Sequence, residues 1–136
     1  LEIPKLYLCN GVDLAEIRSD EYDFVFSTIC LQHIAVHEIR FNYFAEFFRV
    51  LKKGGWLTFQ MGFGKGLPSC VDYYANHYEA KTTNGTCDVR IDNQEQLKED
   101  LEKVGFGNFS ATIIKAPPYE PLPIHESWIF ARVQKC

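Results

Sequence analysis

The stretch RVLKKGGWLTFQ, residues 49–60, constrains the fold more than any other. Lys52 and Lys53 sit where a helix dipole favours positive charge, and Gly54 can take the left-handed conformation that closes a helix. Residues 56–61 then suit a buried strand. Upstream, residues 22–29 form a nearly continuous apolar run, the mark of a strand covered on both faces. Between the two runs a helix is predicted over about residues 36–53. Phe41, Phe44, Phe48 and Leu51 share one stripe at spacings of three and four, widened by Phe47 and Val50. Strand, helix and strand in this order argue for an open α/β sheet.

The remaining segments are shorter. Residues 5–9 read as a strand stopped by the turn-forming pair Asn10-Gly11, and residues 13–17 as a single helical turn. Residues 62–69 are predicted to be a flexible glycine-rich loop. Around Asn84-Gly85, a type I′ turn would set Lys81 opposite Asp88 and Glu79 opposite Arg90, with Ala80 against Val89 and Tyr78 against Ile91. That register predicts a β-hairpin. A second helix is expected to start at Asp92, with Glu95 completing a capping box, Leu97, Leu101 and Val104 buried, and Gly105 as its end. Residues 109–115 and 127–133 are further strands, separated by a proline-rich loop at 116–123.

Composition narrows the function. A chain of 136 residues that is 46% hydrophobic makes one domain, 1–136, with a core of its own. A net charge of −4 without a dense basic run argues against a nucleic-acid partner. No apolar stretch of about 18 residues occurs, which argues against a membrane span. Five cysteines include no CxxC pair, and Cys9, Cys30 and Cys87 lie in or beside apolar segments, where a reduced thiol behaves as a small hydrophobe. A reducing cytoplasm fits this pattern. The chain starts at Leu1, from which an upstream segment is expected.

Taken together, NGVDL (10–14), YDFVFSTICLQHI (22–34), FFRVLKKGGWLTF (47–59), LEKVGF (101–106) and SWIFARVQK (127–135) resemble the C-terminal two thirds of a class I S-adenosylmethionine-dependent methyltransferase. The resemblance implies an α/β fold: a partial Rossmann-like sheet holding strands three to seven of the family, with helices on its faces and residues 62–91 as a loop-and-hairpin insertion on the acceptor side. The family's first two strands and glycine-rich cofactor loop would precede Leu1. Gly62, Gly64 and Gly66 do not replace that loop, because no helix with anion-binding amides follows them.

The resemblance also implies a site. Asn10 falls where the family receives the adenine amino group, with Gly11 and Val12 against the ring; the plain alternative is that Asn-Gly only makes a turn. Ser27, Thr28 and Ile29 end a strand where ligands of open sheets gather, and in the family they meet the methionine part of the cofactor. Asp23 reads as structural. His33 lies on the substrate side and is the candidate proton acceptor, with simple packing as its rival. His33, His37 and Glu38 lack a third ligand at recognisable spacing, so no metal is expected. Tyr73, Tyr74, His77 and Tyr78 either shape an acceptor pocket or pack a small subdomain.

The function implied is methyl transfer from S-adenosylmethionine to a small-molecule acceptor by a longer parent protein, this chain alone being inactive. The competing reading is a non-enzymatic interaction module that retains the sheet. Without the family's first strand, residues 22–29 would keep a bare edge, and a homodimer through that edge is expected.

Overall fold

The apolar runs assemble into a six-stranded sheet carrying both α-helices on one face. The structure, a computed structural model, describes residues 3–66, 70–79, 88–117 and 125–136. Its elements are β1 (Tyr22–Ser27), a 3-10 turn (Leu31–His33), α1 (His37–Val50), β2 (Leu51–Gly66), β3 (Val71–Asp72), β4 (Val89–Ile91), α2 (Gln94–Val104), β5 (Phe106–Lys115) and β6 (His125–Lys135).

The long strand β2 organises the sheet. Antiparallel β6 runs along one edge from Trp56 to Gly66, with β5 antiparallel outside it. The other edge is shared in sequence: parallel β1 pairs as far as Phe59, and parallel β4 begins at Gly62, with β3 beyond it. On one face Leu57, Phe59 and Met61 of β2 and Ile129, Ala131 and Val133 of β6 meet Phe44 of α1 and Leu97 and Leu101 of α2. All are at most 1% exposed. Each large side chain so buried contributes about 1.5–3 kcal/mol, which makes this layer the core.

Several expectations are corrected. No strand forms over residues 5–9, where Leu6 and Leu8 are more than 90% exposed; the described sheet begins with the family's fourth strand. β1 is covered on one face only, with Phe24 and Phe26 54% and 69% exposed. The helix ends at Val50, before the lysines. Gly54 does take positive φ (82°), but inside an excursion of β2 between the pairs Tyr22–Leu51 and Phe24–Trp56. Residues 62–66 continue β2 instead of forming a loop, because β4 and β6 pair with them.

The predicted hairpin does not form in its described part; Ala80, Lys81 and Asn84-Gly85 lie outside the described residues. β4 is occupied on both sides, by Gly62 and Phe63 of β2 and by Val71 and Asp72 of β3, while Tyr78 and Glu79 sit in a turn. Arg90 pairs with Asp72 and Asp92. The second helix is capped by Asn93, whose side chain accepts from the Glu95 amide; Gly105 closes it at φ 116° as expected. Cys9 and Cys30 are exposed, not packed as hydrophobes. Among the described residues no helix is long and apolar enough to cross a membrane.

Candidate functional site

Along the shared edge of β2 the chain parts at residues 60–61: β1 has ended at Ser27, opposite Phe59, and β4 has not begun. This parting lies at the carboxyl end of β1 and the amino end of β4, where backbone groups are released from the ladder. A cavity of about 210 Å³ opens there, lined by Thr28, Ile29, Gln60, Trp128 and Phe130.

Ile29 holds a left-handed backbone (φ 51°), a conformation that costs a β-branched residue about 1–3 kcal/mol. Its amide donates to Gln60 Oε1 at 2.9 Å. Gln60 Nε2 donates in turn to Gln32 Oε1 at 3.1 Å, and both glutamines are at most 3% exposed. Gln32 Nε2 reaches His33 Nε2 at 3.5 Å, and His33 Nδ1 faces Asp88 Oδ1 at 3.4 Å. The tautomer with its proton on Nδ1 satisfies both contacts. On the far side of Asp88, His125 Nε2 stands 3.7 Å away. Asp88 and His125 are fully buried, and among the described residues neither has a hydrogen bond from its side-chain polar atoms. A buried carboxyl group is thus flanked by two imidazoles, at 3.4 and 3.7 Å.

The other expected site residues lie elsewhere. Asn10 and Asp13 help line a second cavity of about 350 Å³, formed by residues between 5 and 17. Asn10 Oδ1 accepts from the amides of Val12 (2.9 Å) and Asp13 (3.0 Å), while its Nδ2 donates to the Asp13 carboxylate. Both lone pairs of that amide oxygen are engaged in the turn. The Asn10 side chain, then the Ala15 amide, draw the Asp13 carboxyl below its usual range. Gly11 (φ 86°) and the exposed Val12 form the crest of this turn. Ser27, Thr28 and Ile29 are therefore not brought into one cavity with Asn10, Gly11 and Val12. His33 reaches its cavity through Gln32 and Gln60 without lining it.

A second polar cluster ties the helices together. His37 Nε2 lies 2.6 Å from Asp100, which also accepts from the Tyr73 hydroxyl (2.9 Å) and Lys103. Burial, then the Asp100 charge, push the Tyr73 phenol upward. Arg40, fully buried, donates to the carbonyls of Ile34 and Tyr73. Tyr73 thus holds α1, β3 and α2 together and lies away from the cavity.

Sequence reasoning missed Gln32, Gln60, Asp88, His125, Trp128 and Phe130. Gln60 alone carried a signal, a polar amide inside an apolar strand.

The methyltransferase domain family matches residues 2–59. No curated protein matches by sequence. Among solved structures, an S-adenosylmethionine-dependent methyltransferase of Thermotoga maritima, a possible histamine N-methyltransferase, superposes with a TM-score of 0.57. It is 16% identical, over 88% of this chain and 59% of that one. A methyltransferase of Methanosarcina mazei gives 0.61 at 18% identity, covering 92% of this chain and 64% of its own. Phosphoethanolamine N-methyltransferase 2 of Haemonchus contortus, bound to phosphomonomethylethanolamine and S-adenosylhomocysteine, gives 0.59 at 18% identity, with 88% and 35% covered. The chain spans about three fifths of the first two structures. Fold, strand order and family match agree: this chain has the fold of the class I S-adenosylmethionine-dependent methyltransferases.

Proposed function

We propose that the chain is part of a methyltransferase that moves a methyl group from S-adenosylmethionine to a small-molecule acceptor, and that these residues alone form half of its site. The observation that carries the reading is the cavity at the parting of β1 and β4, at strand ends of a methyltransferase fold. When bound, S-adenosylmethionine supplies an electrophilic sulfonium methyl. Thr28 and Ile29 would border its methionine end. Gly11 and Val12 would approach the adenine, and Asn10 would accept its amino group only by releasing an amide of its own turn.

His33, which does not line the cavity, would take the proton that the acceptor sheds only after Gln32 releases its Nε2, while Asp88 faces Nδ1 and would steady the imidazolium. Most of the rate would come from alignment of acceptor and methyl in the cavity. The cavity by the β1 end is smaller than the roughly 300–1,000 Å³ usual for a small-molecule site, which suits one end of a cofactor. Among the described residues no glycine-rich turn leads from a strand into a helix, so cofactor contacts of that kind are not supplied. Several missing hydrogen bonds, each about 1–3 kcal/mol when left unmade, weaken binding by orders of magnitude.

Calorimetric titration of this chain with S-adenosylhomocysteine tests the proposal. Binding weaker than about millimolar is expected, and a micromolar dissociation constant would refute the half-site. The second reading, an interaction module that keeps the sheet without catalysis, is favoured by the sheet face that carries no helix. It predicts no methyl transfer from the longer protein either.

A further inference from the structure

Two thiols outside the cavity by β1 converge on one phenol. The segment before β1 runs beside α1: Asn42 donates to Val12, Glu46 accepts from Leu14, and Arg49 donates to Ile17. The Glu21 amide closes this path on the carbonyl of Val50, the last residue of the helix. β1 then retraces it in the opposite direction. Its last residue, Ser27, pairs with Phe59 of β2, whose ring lies 5.3 Å from that of Phe44 in α1. Cys9, before the segment, and Cys30, after β1, are therefore both brought back to the turn of α1 that carries Tyr43.

The Cys9 thiol lies 3.8 Å from the Tyr43 hydroxyl. Burial first, then the hydrogen bond and charge of Cys9 and the charge of Cys30, push the Tyr43 phenol up to about 12. The phenol thus keeps its proton at neutral pH and donates a hydrogen bond to a neighbouring thiolate. The Gly11 amide first, then this hydroxyl, hold the Cys9 thiol below its usual range. Cys9 and Cys30 are both free and exposed, and no helix or strand fixes residues 3–10. An accessible, stabilised thiolate near a second accessible thiol has the chemistry of a redox pair.

We infer that Cys9 and Cys30 join in a reversible disulfide on exposure to a peroxide. The Cys9 thiolate attacks one peroxide oxygen; the O–O bond breaks, hydroxide leaves and is protonated to water, and Cys9 becomes a sulfenic acid. The Cys30 thiol then loses its proton and attacks the Cys9 sulfur. The S–S bond forms as the S–O bond breaks, and a second water leaves. Two thiols are oxidised by two electrons while one hydrogen peroxide becomes two waters. A dithiol reductant reverses the change by exchange. The bond ties the Asn10-Gly11 turn to the carboxyl end of β1. On the function proposed above these are the adenine and methionine sides of one cofactor site, but the bond forms or fails whether or not that reading holds.

Peptide mapping by mass spectrometry, after mild hydrogen peroxide treatment of the whole chain, tests the inference. A fragment joining Cys9 to Cys30 should accumulate before any other linkage and disappear with dithiothreitol. Cys9→Ser and Cys30→Ser should each abolish it. Tyr43→Phe should slow the linkage about threefold, through a smaller thiolate fraction, while the same pair is joined. The linked chain should also melt several degrees above the reduced one, because the bond closes a loop of about twenty residues in the unfolded chain. Thiols that stay free, linkage of Cys9 mainly to another cysteine, or overoxidation of Cys9 with Cys30 left reduced overturns the inference. So does a linked chain that melts below the reduced one, because the fold would then hold the two thiols apart.

Discussion

A Cβ built on Gly62 would fall 2.3–2.4 Å from the His125 ring, closer than any side chain tolerates. The imidazole rests on the bare backbone of β2, braced at its other side by Trp128 at 5.2 Å, and this rest places it against Asp88. Gly62→Ala must displace the ring and overpack the site, at about 1–3 kcal/mol. In a His125→Ala background the same substitution should be far milder, so the pair should be strongly non-additive in chemical denaturation. Additive losses would show that the ring does not rest there. Little of this could be read from the sequence. Gly62 looked like loop and Asp88 like a hairpin partner of Lys81, while His125 fell between the proline-rich loop and the last strand. The three meet only through the pairing of β2 with β4 and β6, which no local pattern encodes. His33 was singled out only through the family resemblance, and its Asp88 neighbour was not.

The segment before β1 shows how an element without regular structure is held. Arg49 of α1 donates to the carbonyls of Leu14 (2.9 Å) and Ile17 (2.8 Å), to Ser19, and to Glu46 in a two-pronged pair. Glu46 accepts from the Leu14 amide, and Asn42 donates to Val12. This ties the candidate adenine turn to α1. Arg49→Ala should cost about 1–2 kcal/mol, discounted for partial exposure, and should speed amide exchange in residues 14–19 while the core strands keep their protection. Arg49→Lys should recover little, since the ammonium cannot repeat the guanidinium fork. Unchanged exchange would mean the turn stands by itself. The strongly periodic elements were legible: β1, α1 and the middle of β2 fall where their apolar spacing puts them. Residues 5–9 share the same β-forming composition yet form no regular structure and are mostly exposed, because strand propensity acts only where a neighbouring strand and a face to cover exist. The hairpin failed for the complementary reason. Its charge pairs suited an isolated ribbon, but β4 gains more as an inner strand, with Val89 and Ile91 fully buried.

For the whole molecule, a sheet with helices on one side only should unfold with a somewhat low heat-capacity change. Hydration of newly exposed apolar surface sets that quantity, and ordinary domains gain about 12–15 cal/mol/K per residue, or about 1.6–2 kcal/mol/K for 136 residues. Phe24, Phe26, Ile114 and Phe130 are already in water in the single chain, so their hydration adds nothing on unfolding. At about 0.45 cal/mol/K per Å², roughly 400 Å² of such surface lowers the change by about 0.2 kcal/mol/K, toward the lower end of the ordinary range. Phe26→Glu, which replaces a ring that is already 69% exposed, should leave the heat-capacity change nearly as it is. Scanning calorimetry of the two proteins at matched concentrations decides the matter. A fall well beyond about 0.2 kcal/mol/K in the variant would mean that the ring is covered in the folded chain.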